Sequence, residues 1–405
     1  MRSAELAETA GRYDEAEELC DLAAEWYTAQ GDRRRAVSIR IMRERLRALL
    51  AQPARTTLEH CLALDEEARA GGFDVERVAL LKMISQTYGR LGDRAAAEGV
   101  AWECVRLAER VGDPTVVADA LMRLGVALEG VHIDKAIEIY RRAFAMYERA
   151  GDHRGQANCR NNLGRYYTSR GEWDAAKREL EGAIALGRRV GTPDLWGIFV
   201  LNLGVVHLRC GEFDRAREAF GEAMALFAAI RNSERQLYAL YNLAHLERER
   251  GDHEAAAELY DVAAMLAMRV GQSDVQIGAL AGSGLALLTL GRTDAARVAF
   301  LGAEEHARTR VEWFQGRELY EALAVRLAAA SGAAADAVKR LTNARSLAEG
   351  SDFYGAAWLT AECAETLLAL DPSSGRKLLG EYAERARAAG FEAMSRRYGE
   401  LLAKV

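Results

Sequence analysis

With 54 basic side chains against 60 acidic ones, the 405-residue chain carries a formal net charge of −6, so no general attraction to nucleic acid or an anionic membrane is expected. Half of its residues are apolar, only 7% are aromatic and four are proline, a composition that excludes a strand-rich fold and points to an all-α one. No apolar run approaches the roughly 18 residues of a membrane span, and the six cysteines (Cys20, Cys61, Cys104, Cys159, Cys210, Cys363) form no C-x-x-C pair. Reduced, partly buried thiols in a cytoplasmic protein are therefore expected, with no disulfide framework.

Taken in order, the chain reads as successive helix pairs punctuated by glycine. Gly11, Ala16, Cys20 and Ala23 mark a first unit with only about ten residues left for its leading helix, so either that helix frays or the chain is the downstream part of a larger protein with an effector domain upstream. The second unit, Arg33–Ala70, is irregular: Pro53 separates Thr56–Ala70 from a helix rich in arginine (Arg33, Arg34, Arg35, Arg40, Arg43, Arg45, Arg47). That basic face is expected to pair with acids of the preceding helix, such as Glu17, Glu18 and Glu25, and not with nucleic acid. Asp74–Arg110 follows, with Gly92, Ala97, Ala101 and Cys104, then a fourth unit with Gly125, Ala136, Tyr140 and Ala143. Pro114 and Pro193 stand where a helix begins, a place that tolerates a missing N–H.

The next four units are in register at a period of about forty residues. Asn161-Asn162-Leu163-Gly164 is followed by Asn202-Leu203-Gly204, Asn242-Leu243-Ala244 and Ser283-Gly284. Gly171, Gly211, Gly251 and Gly291 repeat, as do Ala176, Ala216, Ala256 and Ala296, and Ala183, Ala223, Ala263 and Ala303. A large residue stands between the alanines: Leu180, Phe220, Tyr260, Phe300. Small residues at Gly164 and Ala176 let the two helices of a hairpin approach closely, and the bulky residue fills the gap left beside them. Neither helix buries its apolar stripe alone, so neighbouring pairs must stack. A ninth unit keeps Ala324, Gly332, Ala337, Leu341 and Ala344; a tenth, Phe353–Ala389, keeps Ala364 and breaks at Pro372; Glu392–Lys404, with Met394, Tyr398, Leu401 and Leu402, reads as a capping helix. The organisation expected is one array: irregular units over 1–72, regular repeats over 73–310, divergent repeats over 311–390 and a cap over 391–405.

The columns at Gly164, Ala176, Leu180 and Ala183 resemble the tetratricopeptide repeat, and the resemblance covers nearly the whole chain. It departs in length, since that unit usually has 34 residues, and in lacking the usual proline. The longer unit is similar to the sensor domains of bacterial transcription activators and signalling ATPases. The resemblance implies a right-handed α-solenoid of about ten antiparallel helix pairs, in which the first helix of each pair lines a concave groove. It also implies a non-catalytic module that holds a protein or peptide segment in that groove.

No residue pattern argues for chemistry. There is no phosphate-binding G-x-x-x-x-G-K-[ST], no H-E-x-x-H, and no histidine pair with metal spacing, so no catalytic residue, metal site or cofactor is expected. By the family's geometry, Asn162, Asn202 and Asn242 form a line of carboxamides on the groove. Each can both donate to and accept from an extended peptide backbone; the structural alternative is that they bond only a neighbouring helix. The same mapping puts Arg123, Asn158, Asn161, Arg165, Arg209, Tyr238, Tyr241, His245 and Arg248 around them, with arginines suited to a carboxylate. Ala281, Gly282, Leu285, Leu288, Val325 and Ala328 are expected to make an apolar end of the groove. Two other functions fit the same pattern: a sugar-type sensor using Tyr238, Tyr241 and His245, and a passive assembly scaffold.

Overall fold

The computed structural model describes residues 13–49, 52–129, 132–308, 314, 316–349 and 353–403. Among the described residues the regular structure is helical throughout, twenty-one helices in all, with consecutive helices packing in pairs as in an all-α repeat array. Contacts divide the chain into two compact units, Met1–Asn162 and Leu163–Val405, whereas the regularity of the columns drew its boundaries elsewhere.

The first unit holds α1 (Tyr13–Ala29), α2 (Arg33–Leu49), α3 (Ala54–Gly71), α4 (Asp74–Arg90), α5 (Arg94–Val111), α6 (Pro114–Ala127), α7 (Ile133–Ala150) and the start of α8 (His153–Ser169). Asp93 caps α5 by accepting from the Ala96 amide, and Asp113 caps α6 just before Pro114. Among the first helices, α4 also touches both α2 and α6. The basic face of α2 is matched by acids as expected: Arg47 pairs with Glu17 at 2.6 Å, and Asp21 joins it by taking Arg43 at 2.6 Å. On the other side Arg40 meets Glu67 and Arg34 meets Glu76. Glu44, fully buried on α2, is ringed by Arg43, Arg47 and His60. The residues leading the first sequence unit, Met1–Ala10 and Gly11, lie outside the described residues.

The second unit continues from within α8 through α9 (Trp173–Val190), α10 (Pro193–Cys210), α11 (Phe213–Ala229), α12 (Ser233–Arg250), α13 (His253–Val270), α14 (Ser273–Thr289) and α15 (Thr293–Ala307). It ends with α16 (Arg317–Ala330), α17 (Ala334–Glu349), α18 (Phe353–Glu362), α19 (Ala364–Leu370), α20 (Pro372–Ala388) and α21 (Glu392–Ala403). The small column does the work its chemistry implies. A Cβ placed on Gly164 would lie 2.6 Å from Leu180, and one on Gly204 would lie 2.5 Å from Phe220. The alanine columns are equally tight, with Ala176, Ala183, Ala216, Ala223, Ala256 and Ala263 wholly buried. In the first unit the same crossing is made by Gly125 under Tyr140, and at the third pair by Ser85, whose hydroxyl donates to the Ala97 carbonyl at 2.8 Å.

The inner helices of the second unit come round far enough for its two ends to meet. The last helix does more than shield the end of the array: besides packing on α20 and α18, it reaches α10. Trp173, at the head of α9, donates its indole N–H to the Gly390 carbonyl at 2.8 Å and lies 5.7 Å from the Phe391 ring. Gly171 sits in this seam with φ near +71°, and a side chain there would collide with the Ala389 carbonyl. Two constraints thus require glycine at that turn, the left-handed backbone and the closing seam. The divergent last pair supplies the third piece. Its first helix is interrupted at Cys363, between α18 and α19, and Pro372 then opens α20 with Asp371 as its cap.

Candidate functional site

In the first unit Arg123, Asn158, Asn161 and Asn162 occupy the inner helices α6 and α8. Burial lowers the pKa of Arg123, and its Nε is enclosed without a hydrogen-bond partner. Asn161 is buried and donates from Nδ2 to Asn162 Oδ1 at 3.4 Å, so part of the amide capacity is used between neighbours. Nearby, Asp119 takes Lys82 at 2.5 Å and the Tyr147 hydroxyl at 2.6 Å, tying α4, α6 and α7 together. The sequence pattern gave no hint of this node, because its members stand on three separate helices.

In the second unit Arg165 is exposed on α8, whereas Asn202 and Asn242 are half-buried on α10 and α12. Asn242 donates to the Tyr238 carbonyl one turn back at 2.7 Å, which orients the amide and leaves its oxygen as the available acceptor. Tyr241 and His245 stack edge-on at 4.6 Å, and both pack on Tyr260 from α13. The expected apolar end of the groove is corrected by the structure at four of its six residues, Leu288 and Ala328 being half-buried. Ala281, Leu285 and Val325 are packed core, and Gly282 is buried against Tyr260, whose ring a Cβ there would approach to 2.5 Å. Helix α14 is apolar nearly all round, so its stripe is consumed by neighbours on both sides and does not line a trough.

Where Arg209 and Arg248 look out from α10 and α12, they meet the chain's own C-terminal helices. Arg209 lies 4.2 Å above the Tyr354 ring. Arg248, 7% exposed, pairs with Glu249 at 2.5 Å and with Glu362 at 3.1 Å, and stacks over Trp358 at 4.6 Å. Glu362 also takes Arg326 at 2.8 Å and Arg397 at 2.9 Å, while the Trp358 indole donates to Glu249 at 3.3 Å. Burial by itself would raise the Glu362 pKa, but Arg248, Arg397 and Arg326 outweigh it and hold the carboxyl down at about 2. His245 shows the opposite balance, because burial and then the Arg248 charge push it down to about 3, leaving a neutral imidazole at pH 7. Tyr354, Trp358, Glu362, Arg326 and Arg397 were not singled out from sequence. The available signal was the spacing Tyr354, Trp358, Glu362, one face of a helix four residues at a time.

These shifts carry a pH dependence. A histidine held neutral in the fold but free to protonate near 6.5 when unfolded contributes stability that is complete above that pH and is lost as pH falls toward 3. His245→Gln is therefore expected to flatten the fall in urea midpoint between pH 6.5 and 4, measured against wild type by denaturation at a series of pH values. A variant curve parallel to wild type over that range would contradict the assignment.

The seam where the unit closes holds a cavity of about 510 Å3 lined by Trp173, Lys177, Arg209, Glu212, Glu392 and Arg396 among others. Two of its charges are linked, since Glu212 accepts from Lys177 at 2.6 Å, and Glu212 also pairs with His207 at 2.5 Å. Among the described residues no cluster of side chains could hold a metal ion, and no helix is long and apolar enough to cross a membrane. None of the six cysteines is in a disulfide; five are buried and Cys210 is partly exposed.

Comparison with known proteins places this architecture. Residues 116–189 and 198–268 match the family model described as tetratricopeptide repeat. No curated protein matches the sequence. Among solved structures, a signal transduction ATPase with numerous domains and a tetratricopeptide repeat sensor, from Pyrococcus horikoshii, superposes with a TM-score of 0.57 at 14% identity, covering 90% of this chain and 54% of that one. The apo quorum sensor NprR from B. thuringiensis gives 0.56 at 15% identity over 84% of this chain and 92% of that one. A Rap protein complexed with Competence and Sporulation Factor gives 0.52 at 14% identity, over 81% and 97%.

Proposed function

Since residues 116–189 and 198–268 match the tetratricopeptide repeat and the fold is similar to those of a signal transduction ATPase with a tetratricopeptide repeat sensor and of a quorum sensor, we propose that the chain is a non-catalytic recognition module that holds a protein or peptide segment against its inner helices, as the sensor or scaffold part of a regulatory system. The observation that carries this is the chemistry of the inner face of the second unit. Half-buried carboxamides at Asn202 and Asn242 stand on successive first helices, with the guanidiniums of Arg209 and Arg248 beyond them. Such a set suits a backbone and a carboxylate. The Rap protein of similar fold was solved with Competence and Sporulation Factor bound, and NprR is a quorum sensor.

A sugar-type sensor would need Tyr238, Tyr241 and His245 to line an open pocket. Tyr241 is only 3% exposed and its ring is committed to His245 and Tyr260, which favours the peptide class. Asn202→Ala with Asn242→Ala is expected to keep the helical circular dichroism signal while weakening retention of partners from native cytosol roughly tenfold, at about 0.5–1.5 kcal/mol per lost hydrogen bond. Equal retention by wild type and the double variant would dismiss the carboxamides as recognition groups.

A further inference from the structure

We infer that helix α18 is a built-in occupant of the recognition face, and that the partner the second unit takes is a helical protein segment carrying the same stripe: aromatic, aromatic and acidic residues four apart. This rests on the recognition role proposed above and specifies its ligand. The stripe is Tyr354, Trp358 and Glu362. Its counterparts are groups the sequence had already placed on the inner face, Arg209 over Tyr354 and Arg248 over Trp358 and against Glu362. The rest of α18 is true core, with Ala356, Ala357 and Leu359 wholly buried and packing on α16 and α17. The stripe therefore belongs to a C-terminal body that faces α10 and α12 through long polar side chains.

The physical character of that seam is what makes exchange feasible. Beside the Trp173–Phe391 ring contact and the close packing of Gly171 on Ala389, its contacts are a cation–π pair at Arg209, a buried ion network at Glu362, an indole N–H on Glu249 and another on Gly390. Removing one member of a buried ion network is costly, but replacing its carboxylate by another carboxylate is close to neutral, because desolvation has already occurred in both states. A partner helix presenting two aromatics and an acid would restore the contacts of Arg209 and Arg248 as the C-terminal body, which carries Arg326, Arg397 and Gly390 with it, moves away. A partner lacking the acid would leave Arg248 with Glu249 and without the second carboxylate it has in the resident seam.

The probe is a fluorescein-labelled synthetic peptide spanning residues 353–370 with serine in place of Cys363, titrated into the full chain. Two variants loosen the seam. Trp173→Phe keeps the ring and removes the donor to Gly390, and Tyr354→Ala with Trp358→Ala weakens the resident stripe. Relative to wild type, several-fold tighter peptide binding is expected for Trp173→Phe and about tenfold tighter for the double variant, with binding abolished when Arg248→Ala is added. The peptide carrying Glu362→Gln should bind none of them measurably. Equal affinity across wild type, Trp173→Phe and the double variant would overturn the proposal, as would equal binding of the Glu362→Gln peptide. A dimer that forms by light scattering when the seam is loosened, without peptide uptake, would also overturn it, since the face would then take a second copy of this chain. If the double variant loses its cooperative melt, Trp173→Phe decides the matter alone. Failure here alongside an intact effect of the asparagine substitutions would remove the internal ligand and leave the recognition role standing.

Discussion

Glu362→Gln is expected to lower the unfolding free energy by about 3–5 kcal/mol, the cost of removing one partner from a buried ion network. The carboxylate serves Arg248, Arg326 and Arg397 together, each within 3.1 Å, and Glu249 also contacts two of these cations, Arg248 and Arg397. Neutralising it leaves Arg248 and Arg397 sharing Glu249 and takes the carboxylate away from Arg326, with Arg248 almost fully enclosed. Arg326→Ala should cost distinctly less, because Glu362 keeps two arginines and Arg326 is the more exposed member of its pair. Urea denaturation of both variants at pH 7 measures the difference. A further sign follows from the depressed carboxyl. The stability contributed by Glu362 is present above the unfolded value near 4.3 and is lost as pH falls through about 2, so the gap between wild type and Glu362→Gln should narrow only in strong acid. Equal costs for the two substitutions would mean that the network is not organised around this carboxylate.

Phe220→Ala is expected to cost about 3–5 kcal/mol, because its wholly buried ring is the part that fills the space over Gly204. Gly204→Val alone should cost about 1–3 kcal/mol by overpacking, since its Cβ would lie 2.5 Å from that ring and 3.2 Å from the Ala219 methyl. Combined, the two changes should cost less than their sum, because the valine occupies volume the phenylalanine has vacated. Thermal or urea unfolding of the three variants completes the cycle. Simple additivity would mean that this column does not set the helix spacing, and the physical basis for reading the repeat would be lost with it.

The register of the repeats was legible because it depends on local volume. Gly164 with Leu180, Gly204 with Phe220 and Gly125 with Tyr140 lie within one hairpin, so the complementary sizes appear at a fixed short separation. Helix starts at Pro114 and Pro193 and the acid pairing of α2 were legible for the same reason. The groove was only half legible. The residues mapped onto it are on inner helices, yet Asn242 turns partly to its own helix, and Ala281, Leu285 and Val325 are core. Which apolar face of α14 was inward could not be read from a helix apolar on nearly every side.

By itself the sequence determined that the chain pairs its helices, where the pairs turn, and which side chains nest at each crossing, because all of these follow from steric fit between residues near one another in the chain. Only the tertiary structure decided what stands in front of Arg209 and Arg248. Each step from pair to pair adds a small rotation, and over the second unit the sum brings Gly390 to Trp173 and Glu362 to Arg248, residues separated by 217 and 114 positions. No local pattern encodes such a meeting, since it depends on the accumulated curvature of every pair between them.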